Sequence, residues 1–510
     1  MTHQEAKGTG HGTEDKGLNI LFVASEAAPF AKTGGLGEVV GDLPRYLHEL
    51  GHDVRVVLPR YYSIDPERYG LTMLPGVLVV PMGIVGDMYC GVREGRLPRS
   101  DLPVYFLEHQ GLYGRDGIYG VDNVGFMDND NRYVFLSRAA MELPKMLGWQ
   151  PDILHAHDWH TAAVPIFLNT SCRNEPHLCN AASILTIHNI QHQGNFYPGL
   201  MEVLDIGWEH FTFLELEKDD QVNLLKGGIC HATLLNTVSR GYAREIQTPE
   251  YGWGLEGVVK ERAADLYGIL NGVDYDEWNP ATDRFLPATY TADDLSGKAV
   301  CKRALQRRFG LPELDLPLFG VVSRMVPQKG TDLLAEAIHN MITLDIQVVV
   351  VGNGEPWAHF FFGGMAHRHP HKVGCHIGYE NELAHLVEAG SDFFLMPSAF
   401  EPCGLNQMYS LAYGTPPIVR ATGGLDDSVE NFNESTLSGD GFKFWSHSAT
   451  ALYDTVGWAT WTWYNNPRGL AALRRNGMDK RFTWEESALK YDEMYREALK
   501  RKRRAAALSG

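Results

Sequence analysis

The 510-residue sequence lacks several patterns that indicate secreted, membrane-spanning or nucleic-acid-binding proteins. Its seven cysteines are scattered and odd in number, and no two have CxxC spacing, so a reducing cytoplasmic compartment is favoured over a disulfide framework. No stretch approaches the roughly 18 apolar residues of a membrane span. The net charge of −18 argues against broad binding to nucleic acid or to anionic membranes. A phosphorylated ligand would therefore need a local basic cluster.

The amino-terminal segment also lacks the apolar core of a signal peptide. It is polar, contains glycine and carries both signs of charge, so we predict a disordered tail over residues 1–17. The remaining composition, 44% hydrophobic and 21% charged, is that of an ordinary globular protein. A chain of this length favours two domains over one.

Two segments about 300 residues apart share a strand–helix–strand pattern. The strands are continuous apolar runs, as parallel sheets buried on both faces require. The predicted elements are strand 18–24, helix 37–50 and strand 53–58, then strand 316–322, helix 332–341 and strand 346–351. Further strands are predicted at 152–155, 183–186, 393–396 and 417–419. This pattern predicts an α/β fold with two Rossmann-like domains, whose ligands bind beyond the carboxyl ends of the strands.

The tetrapeptide Thr-Gly-Gly-Leu occurs twice, at Thr33–Leu36 and at Thr422–Leu425. The first copy follows a strand, opens a helix and is preceded by Lys32, an arrangement that points backbone N–H groups and a positive charge at an anion. The second copy has Ala421 in place of the lysine. We expect it to shape the wall near Glu401 more than to bind phosphate.

Two loops of the second half carry candidate chemistry. Arg324 and Lys329 are two cations on one loop after a strand, suited to a diphosphate leaving group, although ordinary solvated charges are the alternative. Glu401 lies on a Pro- and Gly-containing loop, where it could orient a sugar or act only as a helix-start carboxylate. Cys403 on the same loop is a weak nucleophile candidate, because no histidine follows at a triad-like position.

The segment His155-Ala-His157-Asp158-Trp159-His160 superficially resembles a metal cluster. Zinc sites also need matching ligands at suitable spacing elsewhere, and none stands out. We therefore predict no metal. A second histidine, His188, also follows a strand, where hydrogen bonding to a ligand competes with a buried capping role.

Taken in order, the motifs of this chain resemble the bacterial glycogen synthase and plant starch synthase family, the ADP-glucose-dependent retaining glucosyltransferases. The resemblance runs from about residue 18 to about residue 495. The matching motifs are Lys32-Thr-Gly-Gly-Leu36, His157-Asp-Trp-His160, Thr186-Ile-His-Asn189, Asn271-Gly-Val-Asp274, Ser323-Arg-Met, Gln328-Lys-Gly330, Glu401-Pro-Cys-Gly-Leu405, Tyr413-Gly-Thr415 and Thr422-Gly-Gly-Leu425.

The resemblance implies a GT-B fold, in which two Rossmann-like domains face a deep cleft and the C-terminal helix crosses back to the first domain. The ranges it implies are an N-terminal, acceptor-side domain at 18–268, a nucleotide-sugar-binding domain at 269–484 and the C-terminal helix at 485–510.

The resemblance also implies the site residues. Arg324 and Lys329 would hold the diphosphate, with Lys32 and the amides of Gly34 and Gly35 approaching from the other side. Glu401 and the amides of Cys403, Gly404 and Leu405 would contact the donor glucose, and the backbone carbonyl of His188 would lie beside its anomeric centre. Five further residues fall at active-site positions of the family: Glu38, Tyr113, Asp158, Asn271 and Tyr379.

Two residues depart from related patterns. Tyr409 stands where many retaining GT-B enzymes have a second glutamate, which puts the ribose contacts in doubt, and Glu38 stands where relatives often have Asp. The implied reaction transfers glucose from ADP-glucose to the non-reducing 4-OH of an α-1,4-glucan, with retention and without a cofactor. Alternatives are a UDP-glucose-dependent GT-B enzyme, a phosphorylase, which normally needs a pyridoxal-phosphate lysine, or a non-catalytic glucan-binding relative.

Overall fold

The computed structural model describes residues 17–121 and 124–509. The predicted disordered tail, apart from Gly17, lies outside the described residues. Two compact units are present. The first comprises the described residues up to Leu185, Gly194–Thr233 and the residues from Asp492 onward, and the second comprises Thr186–Gln193 and Leu234–Tyr491. None of the described helices combines the length and apolar character needed to span a bilayer.

The first unit contains both parallel and antiparallel strands. The strands are β1 (Asn19–Val23), β2 (Asp53–Pro59), β3 (Thr72–Met73), β4 (Leu78–Pro81), β5 (Asp87–Arg96), β6 (Pro103–Glu108), β7 (Gly120–Val121), β8 (Val124–Gly125), β9 (Ile153–His157), β10 (Ala182–Ile187, in the second unit from Thr186), β11 (Asn195–Phe196), β12 (Glu217–Lys218) and β13 (Gln221–Asn223). The helices are α1 (Gly35–Glu49), α2 (Gln110–Tyr113), α3 (Asn129–Leu147), α4 (Asp158–Thr161), α5 (Ala163–Asn169), α6 (Leu200–Leu204) and α7 (Leu224–His231).

The predicted βαβ opening of the first unit is confirmed. Strand β1 is flanked in parallel by β2 and β9, and β6 continues the parallel order beyond β2. Helix α1 can lie close to the preceding loop because Gly41 has no side chain; a Cβ there would be 2.9 Å from the carbonyl oxygen of Ala28. Strands β3, β4 and β5 extend the sheet in antiparallel fashion. These strands were not predicted, since β3 and β4 are very short and glycine and charged residues interrupt the apolar pattern of β5.

The second unit contains two groups of strands. Its strands after β10 are β14 (Leu234–Thr237), β15 (Leu266–Gly268), β16 (Leu318–Val322), β17 (Gln347–Gly352), β18 (Val373–Ile377), β19 (Phe393–Met396), β20 (Pro417–Arg420) and β21 (Phe442–Phe444). Its helices are α8 (Arg240–Glu245), α9 (Glu256–Glu261), α10 (Ser296–Arg308), α11 (Thr331–Met341), α12 (Pro356–Arg368), α13 (Asn381–Gly390), α14 (Asn406–Ala412), α15 (Gly423–Ser428), α16 (Ala449–Asn465), α17 (Pro467–Asp479) and α18 (Trp484–Ser509, in the first unit from Asp492).

A six-stranded parallel sheet, in the order β18-β17-β16-β19-β20-β21, forms the centre of the second unit. This is the 3-2-1-4-5-6 order of a Rossmann fold. Both faces are buried: Val348 and Val350 of β17 pack into one apolar cluster, whereas Val349 and Val351 pack into another. The continuous apolar strands of the sequence are therefore explained by helices on both faces. The order also makes β16 and β19 neighbours, so the loops that follow them meet.

Candidate functional site

The site in the second unit is organised around an ion pair between Lys329 and Glu401. Lys329 Nζ lies 2.9 Å from Glu401 Oε1 and 2.7 Å from Oε2, and the Ser398 hydroxyl donates to Oε2 at 3.0 Å. The Glu401 side chain is only 5% exposed, against 21% for Lys329. A buried carboxylate needs such partners, because an unpaired charge away from water is strongly destabilising. Lys329 thus presents a cation whose position is fixed by two carboxylate contacts.

The Lys329 loop is attached to the loop after β19 by main-chain contacts. The N–H of Ala399 donates to the Gln328 carbonyl at 2.9 Å. Gly330 has a φ of 68°, and a Cβ there would be 2.0 Å from the carbonyl oxygen of Pro397. Only glycine fits this position, because it tolerates the left-handed conformation and leaves room for the neighbouring backbone.

Three further polar residues of the second unit belong to the candidate site, namely Arg324, His188 and His192. Arg324 is exposed and donates to Gln328 Oε1 at 3.3 Å. Burial lowers the pKa of His188 to about 3, so its imidazole is neutral at physiological pH. The pKa of His192 is also lowered, first by burial and then by the charge of Arg324. His192 therefore lies within electrostatic reach of Arg324, and the sequence reasoning did not identify it.

The second Thr-Gly-Gly-Leu segment packs against the backbone at Glu401. The N–H of Gly424 donates to the Glu401 carbonyl at 2.9 Å. A Cβ on Gly423 would be 2.1 Å from that carbonyl oxygen, and a Cβ on Gly424 would be 2.1 Å from the carbonyl oxygen of Cys403. The Glu245 carboxylate accepts hydrogen bonds from the Gly423 N–H and the Thr422 hydroxyl. In this structure, the segment is a wall that holds the Glu401 loop.

The loop from Cys403 to Leu405 is held by the side chain of Gln407. Its amide donates to the carbonyls of Cys403 and Gly404, at 3.0 and 3.1 Å. Cys403 is buried, and Gly404 has a φ of 70°. This geometry fixes the direction of the main chain through the loop.

Three other residues of the second unit have contrasting surroundings. Asn271 is 4% exposed, and its Oδ1 has no hydrogen-bond partner among the described residues. Tyr379 is 62% exposed and donates to Asn381 at 3.1 Å. Tyr409 is buried and stacks on Trp278, with ring centroids 3.9 Å apart. Position 409 is therefore a packing position in this chain.

In the first unit, the glycine loop is held by a carboxylate that the sequence reasoning did not identify. The buried Glu26 accepts hydrogen bonds from the N–H groups of Thr33 and Gly34, at 2.5 and 3.3 Å, and from the Thr33 hydroxyl at 2.7 Å. Lys32 forms an ion pair with Glu38. Gly35 is exposed, and a Cβ there would meet no atom within 4 Å. The loop is thus ordered by its own chain, with its outer surface open.

Asp158 and Tyr113, also in the first unit, are both buried. Asp158 has a φ of 54°, a left-handed conformation that is costly for a residue with a side chain and is often found at functional sites. Tyr113 is 0% exposed, and its hydroxyl donates to the Arg132 carbonyl at 2.7 Å. The Tyr113 side chain is therefore enclosed by other residues of the first unit in this structure.

The second unit thus brings together Arg324, Lys329, Glu401 and the 403–405 loop, with Ser398 and His192 as additions. The first unit brings together Lys32, Gly34, Gly35 and Glu38, with Glu26 as the addition. Ser398 and Glu26 could have been recognised from the sequence by their position. Each is a polar residue just beyond the end of a strand, β19 and β1 respectively.

Comparisons with known proteins identify the family of this chain. The chain matches the family models of the starch synthase catalytic domain over residues 19–261 and of glycosyl transferases group 1 over residues 302–459. It is 69% identical to glycogen synthase 1 of Geobacter sulfurreducens over 486 residues, which cover 95% of this chain and 97% of that protein. It is 66% identical to glycogen synthase 1 of Geobacter metallireducens over 488 residues, covering 96% and 97%.

A solved structure supports the same relationship. The catalytic domain of starch synthase IV from Arabidopsis thaliana, bound to ADP and acarbose, matches with a TM-score of 0.88 and 34% identity, covering 95% of this chain and 100% of that chain. The two Rossmann-like domains predicted from the sequence are therefore those of a GT-B fold. The chain belongs to the glycogen and starch synthase family of glycosyltransferases.

Proposed function

We propose that this glycosyltransferase transfers glucose from ADP-glucose to the non-reducing 4-OH of an α-1,4-glucan, with retention of the anomeric configuration. The ADP bound by the related starch synthase IV favours an adenine nucleotide as donor. The names of the glycogen synthase relatives favour an α-glucan as acceptor.

The observation that carries the proposal is the two-point contact between Lys329 and Glu401, close in sequence to the exposed Arg324. In the proposed reaction, Lys329 and Arg324 stabilise the negative charge that develops on the departing diphosphate. A fixed cation is effective in this role because it needs no reorganisation as the charge forms.

Glu401 has the wrong surroundings for a nucleophile. Both of its oxygens contact Lys329, and one also accepts from Ser398. A retaining hydrolase needs a second carboxylate free to attack the anomeric carbon. We therefore propose same-face transfer through a short-lived oxocarbenium ion pair. The bond from C1 to the diphosphate oxygen breaks, the acceptor 4-oxygen bonds to C1 on the same face, and its proton passes to the diphosphate oxygen.

His188 suits a position beside the positive charge at the anomeric carbon. Its low pKa keeps the imidazole neutral, so it would not repel an oxocarbenium ion, and its backbone carbonyl would stabilise that ion. Asn271 offers a buried amide oxygen that a sugar hydroxyl could satisfy. The main chain of Cys403, Gly404 and Leu405 would contact the donor glucose.

The other assignments remain part of the proposal. Lys32 and Gly35 would contact donor phosphate, and the amide of Gly34 could do so only by sharing its proton with Glu26. Tyr113 would act through packing. Glu38, Asp158 and Tyr379 would contact substrate. We also propose the domain ranges 18–268 and 269–484, the C-terminal helix at 485–510, and a cytoplasmic location, which the cysteine pattern favours.

The test measures incorporation of labelled glucose into glycogen from ADP-glucose and, separately, from UDP-glucose. We expect incorporation chiefly from ADP-glucose and an α-linkage in the product by NMR. Preference for UDP-glucose would overturn the donor assignment, and no transfer from either donor would favour a non-catalytic relative. A stable glucosyl adduct on a carboxylate, detected by mass spectrometry, would overturn same-face transfer.

A further inference from the structure

A cluster of two histidines and one glutamate lies in the first unit, formed by residues with no place in the proposed reaction. Glu215 Oε2 lies 2.6 Å from His210 Nδ1 and 3.1 Å from His231 Nε2. One possible ligand atom from each residue lies within 4.8 Å of those of the other two. Among the described residues, this is the one group of three or more His, Cys, Asp or Glu side chains with such spacing.

The cluster is built on two segments that the rest of the unit holds together. His210 precedes a tight loop over residues 211–216, and His231 is the last residue of α7. Within the loop, the N–H of Glu215 donates to the Thr212 carbonyl at 3.0 Å. Leu216, at the end of the loop, is fully buried and packs against Gly227 of α7, where a Cβ would be 2.9 Å from Leu216 Cγ.

Side chains of α7 also form hydrogen bonds with main-chain carbonyls in and next to this loop. Lys226 Nζ donates to the carbonyls of Phe213 and Glu217, and Cys230 Sγ donates to the Leu214 carbonyl at 3.3 Å. These contacts do not involve the side chains of the cluster. Glu215 and His231 are therefore brought together by the fold, before any ligand is bound.

The chemistry of the cluster fits a borderline divalent cation. Two imidazole nitrogens and one carboxylate oxygen form a donor set that zinc takes readily, with bonds of about 2.0–2.2 Å and a fourth position for water. Tetrahedral coordination places ligand atoms about 3.3 Å apart, so the three atoms need to move by roughly 1 Å. The exposed fractions of the side chains, 23% for His210, 34% for Glu215 and 12% for His231, leave a route for entry.

We propose that His210, Glu215 and His231 form a binding site for one Zn²⁺ ion. The metal replaces the protons that Glu215 shares with the two imidazoles, and it links the 211–216 loop to the end of α7. No metal was predicted from the sequence, because no ligands at a spacing typical of zinc sites accompany the histidines at 155–160. The ligands of this cluster are spread over two elements and match no recognised spacing.

Untagged protein, freed of metal by chelation, tests the proposal by equilibrium dialysis against Zn²⁺ with elemental analysis. We expect one Zn²⁺ per chain and a higher Tm in its presence, because a ligand that binds only the folded state stabilises it. Loss of an outer-shell partner weakens metal binding by about 10–100-fold. Because Glu215 and His231 would bind the ion directly, Glu215→Gln and His231→Gln should each weaken Zn²⁺ binding by more than that. His177→Gln is the matched control, because His177 contacts the single carboxylate of Glu175, at 3.5 Å.

Cobalt substitution gives a second readout. Co²⁺ in a four-coordinate site of this kind should give visible absorption bands that disappear when Zn²⁺ is added. The bands should be lost in both cluster variants and kept in the control. If Glu215→Gln does not fold, as judged by circular dichroism, His210→Gln serves instead, because His210 lies in a short surface turn. The proposal is overturned if the untagged protein binds no Zn²⁺, or if a folded cluster variant binds it as tightly as the wild type.

Discussion

Replacing Lys329 with alanine should damage both the stability and the activity of the protein, for separable reasons. The Glu401 carboxylate would remain buried at 5% exposure with Ser398 as its remaining side-chain partner. Breaking a buried ion pair from one side costs about 3–5 kcal/mol. Because Lys329 is itself partly exposed, we expect about 3 kcal/mol, which for a unit of this size lowers Tm by roughly 6–12 °C. Loss of the cation should lower kcat/KM about 10²–10³-fold.

A double variant separates the two effects. In Lys329→Ala/Glu401→Gln no charge is left buried, so most of the lost stability should return. Transfer should stay as low as in the single variant, because the cation for the diphosphate is still missing. The measurements are Tm by circular dichroism and kcat/KM from labelled ADP-glucose.

Lys145→Ala is the control for this experiment. Lys145 forms ion pairs with Glu142 and Glu175 on the surface, at 2.8 and 3.1 Å, and such pairs contribute about 1 kcal/mol or less. We expect near wild-type stability and activity from this variant. The reasoning is wrong if the double variant is no more stable than Lys329→Ala. It is also wrong if the double variant recovers transfer, because Lys329 would then act only by neutralising Glu401.

Three further predictions concern single positions. Gly330→Ala should lower the rate of glucose transfer at least tenfold, because a main-chain carbonyl occupies the place of the added Cβ. Gly310 has a similar φ of 65° but open space around it, so Gly310→Ala should lower the stability of the fold by only about 1–2 kcal/mol and leave kcat unchanged. Burial lowers the pKa of His385, but its 2.7 Å hydrogen bond to Asp283 outweighs burial, and the pKa in the folded state is above 6.5. The imidazolium therefore stabilises the fold below pH 6.5, and this stabilisation is lost as the pH rises. His385→Gln should lower Tm more at pH 6 than at pH 9. Tyr113→Phe should lower Tm by about 2–4 °C with KM unchanged; a raised KM would instead indicate contact with substrate.

The strands that position the site could be predicted from the sequence, because their apolar runs are long and their flanking loops are rich in glycine. The strand at Phe393–Met396 has the predicted bounds, and α1 begins two residues before its predicted start. The pairing of Lys329 with Glu401 was not predicted. It depends on β16 and β19 being neighbours in the sheet, which strand pattern alone does not determine.

The hydrogen bonds of the glycine loop could not be predicted from the sequence, for a different reason. Gly34 and Gly35 were predicted to offer their N–H groups to a phosphate, since a glycine pair before a helix is typical of anion sites. Glu26 lies only seven residues before Thr33, but the chain must turn back on itself for its carboxylate to accept the N–H groups of Thr33 and Gly34. Such a return is set by packing, which the local pattern does not encode.

The contact between the second glycine pair and the loop of Glu401 has a consequence for how this protein can vary. Gly423 and Gly424 touch carbonyl groups, and not side chains, of Glu401 and Cys403. A main-chain contact is insensitive to the identity of the side chains around it, so many substitutions at neighbouring positions should leave the carboxylate where it is. The position of the Glu401 loop then depends mainly on Gly423 and Gly424, which lie about 20 residues away in sequence. In a library of variants, those two glycines should be the least replaceable residues of the segment.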